Sequence, residues 1–359
     1  MDDKVLEVEH LIATFRIRKQ EYEVLHDISF SIRRNETLCV VGESGCGKSV
    51  TTLCIMQLLP KNGKIKSGKI LLNGTDLVQL SKKEIVNYRG KHMGMIFQEP
   101  MTALNPLLTI GYQMREMIML HRGVGRKEAD KLAVEYLEKV GIANPESRLK
   151  QYTFELSGGL RQRVMIAMML SAQPDLLIAD EPTTALDVTI QQQVLKLLND
   201  LKQDMNAGVL FITHDLGVVS EIADRIVVLY AGRKVEEGTA AQILGNPKHP
   251  YTIGLMRAVP DVDAENYDIQ PIPGTFPNIT EEIAGCRFHP RCPHAAECRS
   301  CRETAPDTIE IEPGHFVACH LFDGKAAVSS EQLKTMEKDH AQLQEAEAGK
   351  EAERNGSEH

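Results

Sequence analysis

The chain has 359 residues, 42% of them hydrophobic and 25% charged, with no Trp and a formal net charge of −9. That length accommodates one domain of ordinary size and a smaller second unit, and the acidic balance argues against nucleic acid as a partner. The apolar runs, such as Val164 to Leu170, fall far short of the roughly 20 residues that span a bilayer. The opening residues show no secretory pattern, so a cytosolic protein that meets a membrane only peripherally is expected.

Leu6 to Leu11 alternates as an edge strand would, and Ile28 to Ile32 alternates before a turn at Arg33-Arg34-Asn35-Glu36. These strands predict a β-layer. Phe15, at the end of the first strand, and Tyr22 each carry a ring that can stack on an adenine base or pack in the core. Leu38-Cys39-Val40-Val41 reads as a buried strand and the residues from Val50 to Met56 as a helix. Between them Gly42-Glu43-Ser44-Gly45-Cys46-Gly47-Lys48-Ser49 fits the phosphate-loop pattern G-x-x-x-x-G-K-S/T. Glycines let successive backbone N–H groups converge on an anion, and the helix N-terminus adds its dipole. Lys48 is expected to reach the β- and γ-phosphates, and the Ser49 hydroxyl to ligate Mg²⁺.

Gly68 to Leu72 predicts a strand running into a hairpin turn at Asn73-Gly74. Met93 to Phe97 predicts another strand, followed by Gln98, and the pattern then turns helical over Ile110 to His121 and Arg126 to Val140, with Gly141 as a stop. Leu156-Ser157-Gly158-Gly159-Leu160-Arg161-Gln162 opens a further helix that runs through Leu170. A hydroxyl and two glycine amides at a helix start make a second anion-binding arrangement. One chain already has its phosphate loop, so the second site points to the nucleotide of another subunit.

Leu176-Leu177-Ile178-Ala179 is apolar and ends in Asp180-Glu181, the pattern of a buried parallel strand delivering carboxylates at its C-terminal edge. Adjacent carboxylates point in different directions, so Asp180 is expected to hold Mg²⁺ and Glu181 to orient or deprotonate the attacking water. Val209 to Thr213 ends at His214, a candidate hydrogen-bond partner of the γ-phosphate, and Ile226 to Tyr230 is the last strand of the set. Strands alternating with helices predict an α/β sheet with its site along that edge.

From Gly245 prolines are spaced through an aperiodic segment, which marks a domain boundary. A Cys-rich stretch follows, and the residues after Asp323 predict a frayed helix or disorder.

In order and spacing this set resembles the ATP-binding subunit of an ATP-binding cassette transporter over about residues 5 to 245. Gly42 to Ser49 matches the Walker A loop and Gln98 the Q-loop glutamine. Leu156 to Gln162 matches the signature motif, Leu176 to Glu181 the Walker B strand, Ala185-Leu186-Asp187 the D-loop and His214 the switch histidine. The resemblance implies a P-loop NTPase cassette with an antiparallel β-subdomain and a helical subdomain over about 99–170. It also implies a head-to-tail dimer with a second cassette ATPase, hetero- or homomeric, that sandwiches two ATP molecules. Gly42, Glu43, Ser44, Gly45, Cys46, Gly47, Lys48, Ser49 and Val50 would cradle the nucleotide, with Phe15 stacking on its base. Ser157, Gly158, Gly159, Gln162 and Asp187 would contribute from the signature and D-loop. Glu181, His214 and Gln98 would be catalytic, and Ser49, Gln98 and Asp180 would ligate Mg²⁺.

Residues 97–106, 180–189 and His249-Pro250-Tyr251-Thr252 narrow the resemblance to the dipeptide, oligopeptide and nickel importers. Two permease subunits and an external solute-binding protein are then expected partners at the cytoplasmic face of the membrane. On this reading residues 1–245 form the ATP-binding domain, 246–322 a small Cys-rich C-terminal domain and 323–359 a charged tail. His249 to Thr252 on its own residues is a Pro-initiated helix start. A soluble cassette of translation or repair would carry a duplicated cassette or a long coiled coil, and neither pattern is present.

Cys286, Cys292, Cys298, Cys301 and Cys319 crowd together, with His289, His294, His315 and His320 among them. In a reducing cytosol such a cluster favours metal over disulfide, and spacing alone leaves zinc, iron–sulfur and free thiols open. The segments 285–293 and 317–320 resemble the C-terminal region of peptide-importer ATPases, which implies a 4Fe-4S cluster on four of the five. Whether Cys298 or Cys301 is the third ligand stays open.

Overall fold

The computed structural model describes residues 3–98, 103–183, 188–258, 271–296 and 298–323. Asp187 and the charged tail lie outside the described residues. The chain divides into two compact units between Arg233 and Lys234.

In the first unit β1 (Lys4–Ile17) lies between β2 (Gln20–Arg33) and β4 (Gly63–Leu72), and β5 (Thr75–Asp76) completes an antiparallel sheet of order β2-β1-β4-β5. The predicted Asn73-Gly74 turn joins β4 to β5, both residues with positive φ, as a two-residue hairpin requires. β1 and β2 are longer than their alternation predicts. They turn at Arg18 and Lys19, which take φ of 47° and 74° without a glycine, between the pair Ile17 and Gln20. Long cross-strand pairing on both sides enforces a turn that these residue types do not favour.

The second sheet of this unit contains β3 (Thr37–Val41), β6 (Met93–Ile96), β7 (Leu176–Asp180), β8 (Gly208–Ile212) and β9 (Arg225–Tyr230), parallel throughout in the order β9-β3-β8-β7-β6. Every residue of β3, β6, β7 and β8 is buried, which is why these strands read as unbroken apolar runs. Register decides the function of this sheet. Val40 pairs with Ile212, Ile212 with Asp180, and Ala179 with Ile96, so the chain leaves four strands level with one another.

α1 (Lys48–Ile55) follows β3, and Arg89 closes its far end by donating from Nε to Met56 O at 2.9 Å and from the guanidinium to Gln57 O at 2.7 Å. α2 (Ile110–Arg122), α3 (Arg126–Lys139) and α5 (Gly158–Ser171) pack on one another, with the short α4 (Pro145–Arg148) between α3 and α5. Thr109 caps α2, whose chain exits through Gly123 at φ 66°. α6 (Val188–Met205) and α7 (Leu216–Ile222) complete the unit. At the N-terminal ends of the parallel strands, Asp175 accepts from Asn73 Nδ2 at 3.0 Å, pairs with His92 Nδ1 at 2.8 Å and lies 3.6 Å from Arg34. Asn35 donates to Asn206 nearby at 2.6 Å.

The second unit carries β10 (Arg233–Thr239), α8 (Ala240–Gly245), α9 (Pro250–Arg257), α10 (Ser300–Glu303), β11 (Ile309–Glu312) and β12 (His315–Val317). β12 pairs antiparallel with both β10 and β11. This unit begins ahead of the change of texture at Gly245, because Glu236 in β10 is tied to residues on the far side of that point. Its buried carboxylate accepts the backbone N–H of Lys248 at 2.7 Å and of His249 at 2.9 Å, and pairs with His315 Nε2 at 2.8 Å. A buried charge is tolerated when it is hydrogen-bonded in this way.

His249 is the N-cap of α9. Its Nδ1 accepts from Tyr251 N at 3.0 Å, and its ring lies against Phe288, which also contacts Tyr251. Burial pulls its pKa down to about 4, against the opposing attraction of the Glu236 carboxylate. The folded chain therefore refuses a proton that the unfolded chain accepts below its ordinary value near 6.5. Stability from this group is complete above that value and is lost as pH falls toward 4, by about 3 kcal/mol. His249→Asn keeps an acceptor for the cap and cannot titrate there. Urea unfolding between pH 7 and 4 is expected to show a shallower loss of stability in the variant than in the parent protein.

Candidate functional site

The level strand ends turn a one-dimensional order into a cluster. β3 delivers the loop Gly42 to Ser49, β6 delivers Gln98, β7 delivers Asp180 and Glu181, and β8 delivers His214.

The loop depends on glycine at two points. Gly42 has φ 146°, and a Cβ there would sit 2.3 Å from Leu229 O. Gly47 has φ 110°, and a Cβ there would meet the Leu25 side chain at 2.7 Å. Any other residue would push the loop off β9 or β2. Lys48 Nζ donates to Gly42 O at 2.6 Å and to Glu43 O at 3.0 Å, so the cation is held inside the curve of the loop. Ser44 and Gly45 are exposed, Glu43 and Val50 are half-buried, and Cys46 is buried with its thiol 3.8 Å from Lys48 Nζ. Burial raises the Cys46 pKa, which keeps it a neutral packing group.

Across the loop the Ser49 hydroxyl lies 3.4 Å from Asp180 Oδ1. Burial raises the Asp180 pKa and the neighbouring Glu181 charge adds to this, with Ser49 and Lys48 opposing. A cation between Ser49 and Asp180 would relieve that burden, since a nearby positive charge favours the carboxylate. The two oxygens are the hard ligands Mg²⁺ takes, so the residues present fit that ion.

Glu181 occupies the left-handed region at φ 47°, an uncommon place for a residue with a Cβ, and its N–H donates to Ile212 O at 2.9 Å. One carboxylate oxygen accepts from Gln98 Nε2 at 2.9 Å, and the other lies 3.1 Å from His214 Nδ1. His214 is itself exposed, and Asp215 beside it caps α7 by accepting from Gly217 N at 2.9 Å. Gln98 and His214, from the ends of β6 and β8, thus converge on the carboxylate delivered by β7.

Ser157 caps α5, accepting from Leu160 N at 3.4 Å, and Ser157 and Gly158 are exposed with open space where a Gly158 side chain would lie. Gln162, from the same motif, points the other way. It is buried and donates from Nε2 to Pro182 O at 2.6 Å. The ring of Phe15 lies over Gly63 of the neighbouring strand, opposite Tyr22.

In the second unit all five clustered cysteines are free thiols. Burial pushes Cys292 up to about 11 and raises Cys301 and Cys319 further. The negative charge that Cys292, Cys301 and Cys319 would feel from neighbouring thiolates adds to the rise. Cys286 N–H donates to Cys301 O at 2.9 Å, and Gly285, at φ 68°, leaves no room for a side chain against that carbonyl. His315 is paired with Glu236, while His320 bonds Asp323 and Thr304, so these two imidazoles are engaged away from the thiols. Among the described residues no three Cys, His, Asp or Glu side chains converge as the ligands of a metal ion. No helix among them is long and apolar enough to cross a membrane.

The family model described as ABC transporter matches residues 25–184, and that of the oligopeptide/dipeptide transporter C-terminal region matches residues 235–298. The oligopeptide transport ATP-binding protein OppD of Salmonella typhimurium is 46% identical over 316 residues, covering 88% of this chain and 93% of its own length. The dipeptide transport ATP-binding protein DppD of Bacillus subtilis is 45% identical over 325 residues, covering 90% and 96%. Among solved structures, the ATP-binding cassette MJ0796 in a dimeric post-hydrolysis state with ADP and Pi is 26% identical with a TM-score of 0.60, over 66% of this chain and 98% of that one. The chain belongs to the ATP-binding subunits of ATP-binding cassette transporters, in the oligopeptide and dipeptide group, and it is an ATPase.

Proposed function

We propose that this ATPase powers the import of di- or oligopeptides, working at the cytoplasmic face of the membrane with a second cassette subunit, two permease subunits and an external solute-binding protein. The observation that carries the catalytic part is Glu181, fixed between Gln98 and His214 beside the Ser49–Asp180 pair. Glu181 orients the attacking water and receives its proton, while Gln98 and His214 hold the carboxylate in place. Lys48 and the loop amides bind the β- and γ-phosphates. Ser49, Asp180 and Gln98 would hold Mg²⁺, which when bound would supply charge neutralisation at the transferred phosphoryl group. Ser157, Gly158 and Gly159 face the nucleotide of the partner cassette, and Asp187 and Phe15 serve the D-loop and adenine contacts. By sequence texture the ATP-binding domain covers residues 1–245, a C-terminal domain 246–322 and a tail 323–359, although residues 234–245 pack in the second compact unit.

We also propose that four of Cys286, Cys292, Cys298, Cys301 and Cys319 hold a 4Fe-4S cluster. Five cysteines close in sequence without a disulfide, four of them buried, support it, since a coordinated iron would stabilise the thiolates that burial otherwise disfavours, and the thiols would have to draw together around it.

Glu181→Gln is expected to lower ATP turnover by at least ~100-fold while ATP binding persists. Turnover near the parent value would remove Glu181 from its role. Affinity capture of the tagged chain from membranes should recover two permeases and a second cassette ATPase, and uptake of labelled peptides in preference to nickel should depend on the chain. Purified without oxygen, the protein should be brown and contain iron, whereas a colourless, iron-free preparation would refute the cluster.

A further inference from the structure

α5 begins at the Ser157-Gly158-Gly159 segment, which on the proposed function meets the partner's nucleotide, and one turn later it carries Gln162. That side chain is turned away from the helix start. It is buried, and its Nε2 donates at 2.6 Å to the carbonyl of Pro182, the residue after Glu181. Only the amide nitrogen can donate to a carbonyl, so the orientation of the amide follows from this bond. The other end, Oε1, is buried with no partner among the described residues. The glutamine is used for its donor, because an apolar side chain of the same length would fill the space and leave the Pro182 carbonyl without this bond.

Pro182 has no N–H, so its peptide group enters the surrounding structure through its carbonyl. On the other side of Glu181 the chain is held by the Glu181 N–H to Ile212 O bond, at the end of β8. Glu181 itself sits at φ 47°, a conformation the surrounding structure has to enforce. The two bonds, one before and one after its carbonyl carbon, form the clamp that enforces it.

We infer that Gln162 is a positioning residue for Glu181: through Pro182 it fixes the backbone that aims the carboxylate, and it does not act on the nucleotide bound at the signature segment. The same bond ties the segment this chain offers to its partner's ATP to the carboxylate it uses on its own. Displacement of α5 by the partner's nucleotide is therefore transmitted to Glu181 within one chain. This inference rests on the catalytic role proposed for Glu181.

The test uses the full-length protein. Gln162→Met keeps length and volume and removes the donor, and Gln162→Asn keeps the donor one bond short of Pro182. Both are expected to lower kcat for ATP about tenfold with KM for ATP within twofold of the parent. In a Glu181→Gln background, where turnover is suppressed, adding Gln162→Met should leave the dissociation constant for ATP unchanged in titration calorimetry. A kcat within twofold of the parent for both variants would overturn the inference. So would a several-fold weakening of ATP binding in the double variant, because that places Gln162 at the nucleotide. Failure of Glu181→Gln alone to suppress turnover would instead strike at the role of Glu181, a separate result.

Discussion

On the proposed function Glu181 aims at one water and needs a backbone that does not drift, and here that backbone lies where a side chain is least welcome. Glu181 leaves β7 in the left-handed region, bonded at its N–H to the end of β8 and reached at its tip by Gln98 and His214. Each of these partners is a strand end, and their convergence follows from a register in which Val40, Ile212 and Asp180 lie side by side across β3, β8 and β7, with Ile96 of β6 beside Ala179 one residue back. A shift of one strand by one residue would turn its side chains to the opposite face. Burial on both faces of those strands is what prevents such a slip.

In the second unit a buried carboxylate ties separate segments together. Glu236 gathers two backbone amides and an imidazole, which joins β10 to the start of α9 and to β12. Removing one partner of such a set leaves an uncompensated charge, typically costing about 3–5 kcal/mol. The thiol group lies in the same unit, on segments held by the bond between Cys286 and Cys301.

Much of the nucleotide site was legible because its chemistry constrains residue type and spacing together. A glycine loop between a strand and a helix, or an apolar run ending in two acids, has few other uses. The direction of Gln162 was not legible, since a motif records which residues occur near one another and says nothing of which face of the helix each occupies. The turn at Arg18-Lys19 was hidden for the opposite reason: long-range strand pairing overrode local preference. Glu236, His249 and His315 are scattered along the chain, and only the fold makes them neighbours. His249 read as part of a helix start, which it is, and its burial appears only once Phe288 packs beside it.

Asp175 gives the first unit an asymmetry between its two ends. The bonds from Arg34 and Asn73 fasten the antiparallel sheet to the parallel one at the edge remote from the phosphate loop, and His92, which leads into β6, holds Asp175 from within the parallel layer. At the opposite edge the layers are joined again, by the His26 N–H donating to Gly232 O at 2.8 Å and by the Leu25 side chain close against Gly47. The antiparallel layer is thus fastened at both ends of the parallel strands, by polar side chains at one and by backbone and apolar contact at the other, and it braces the phosphate loop while supplying none of its chemistry.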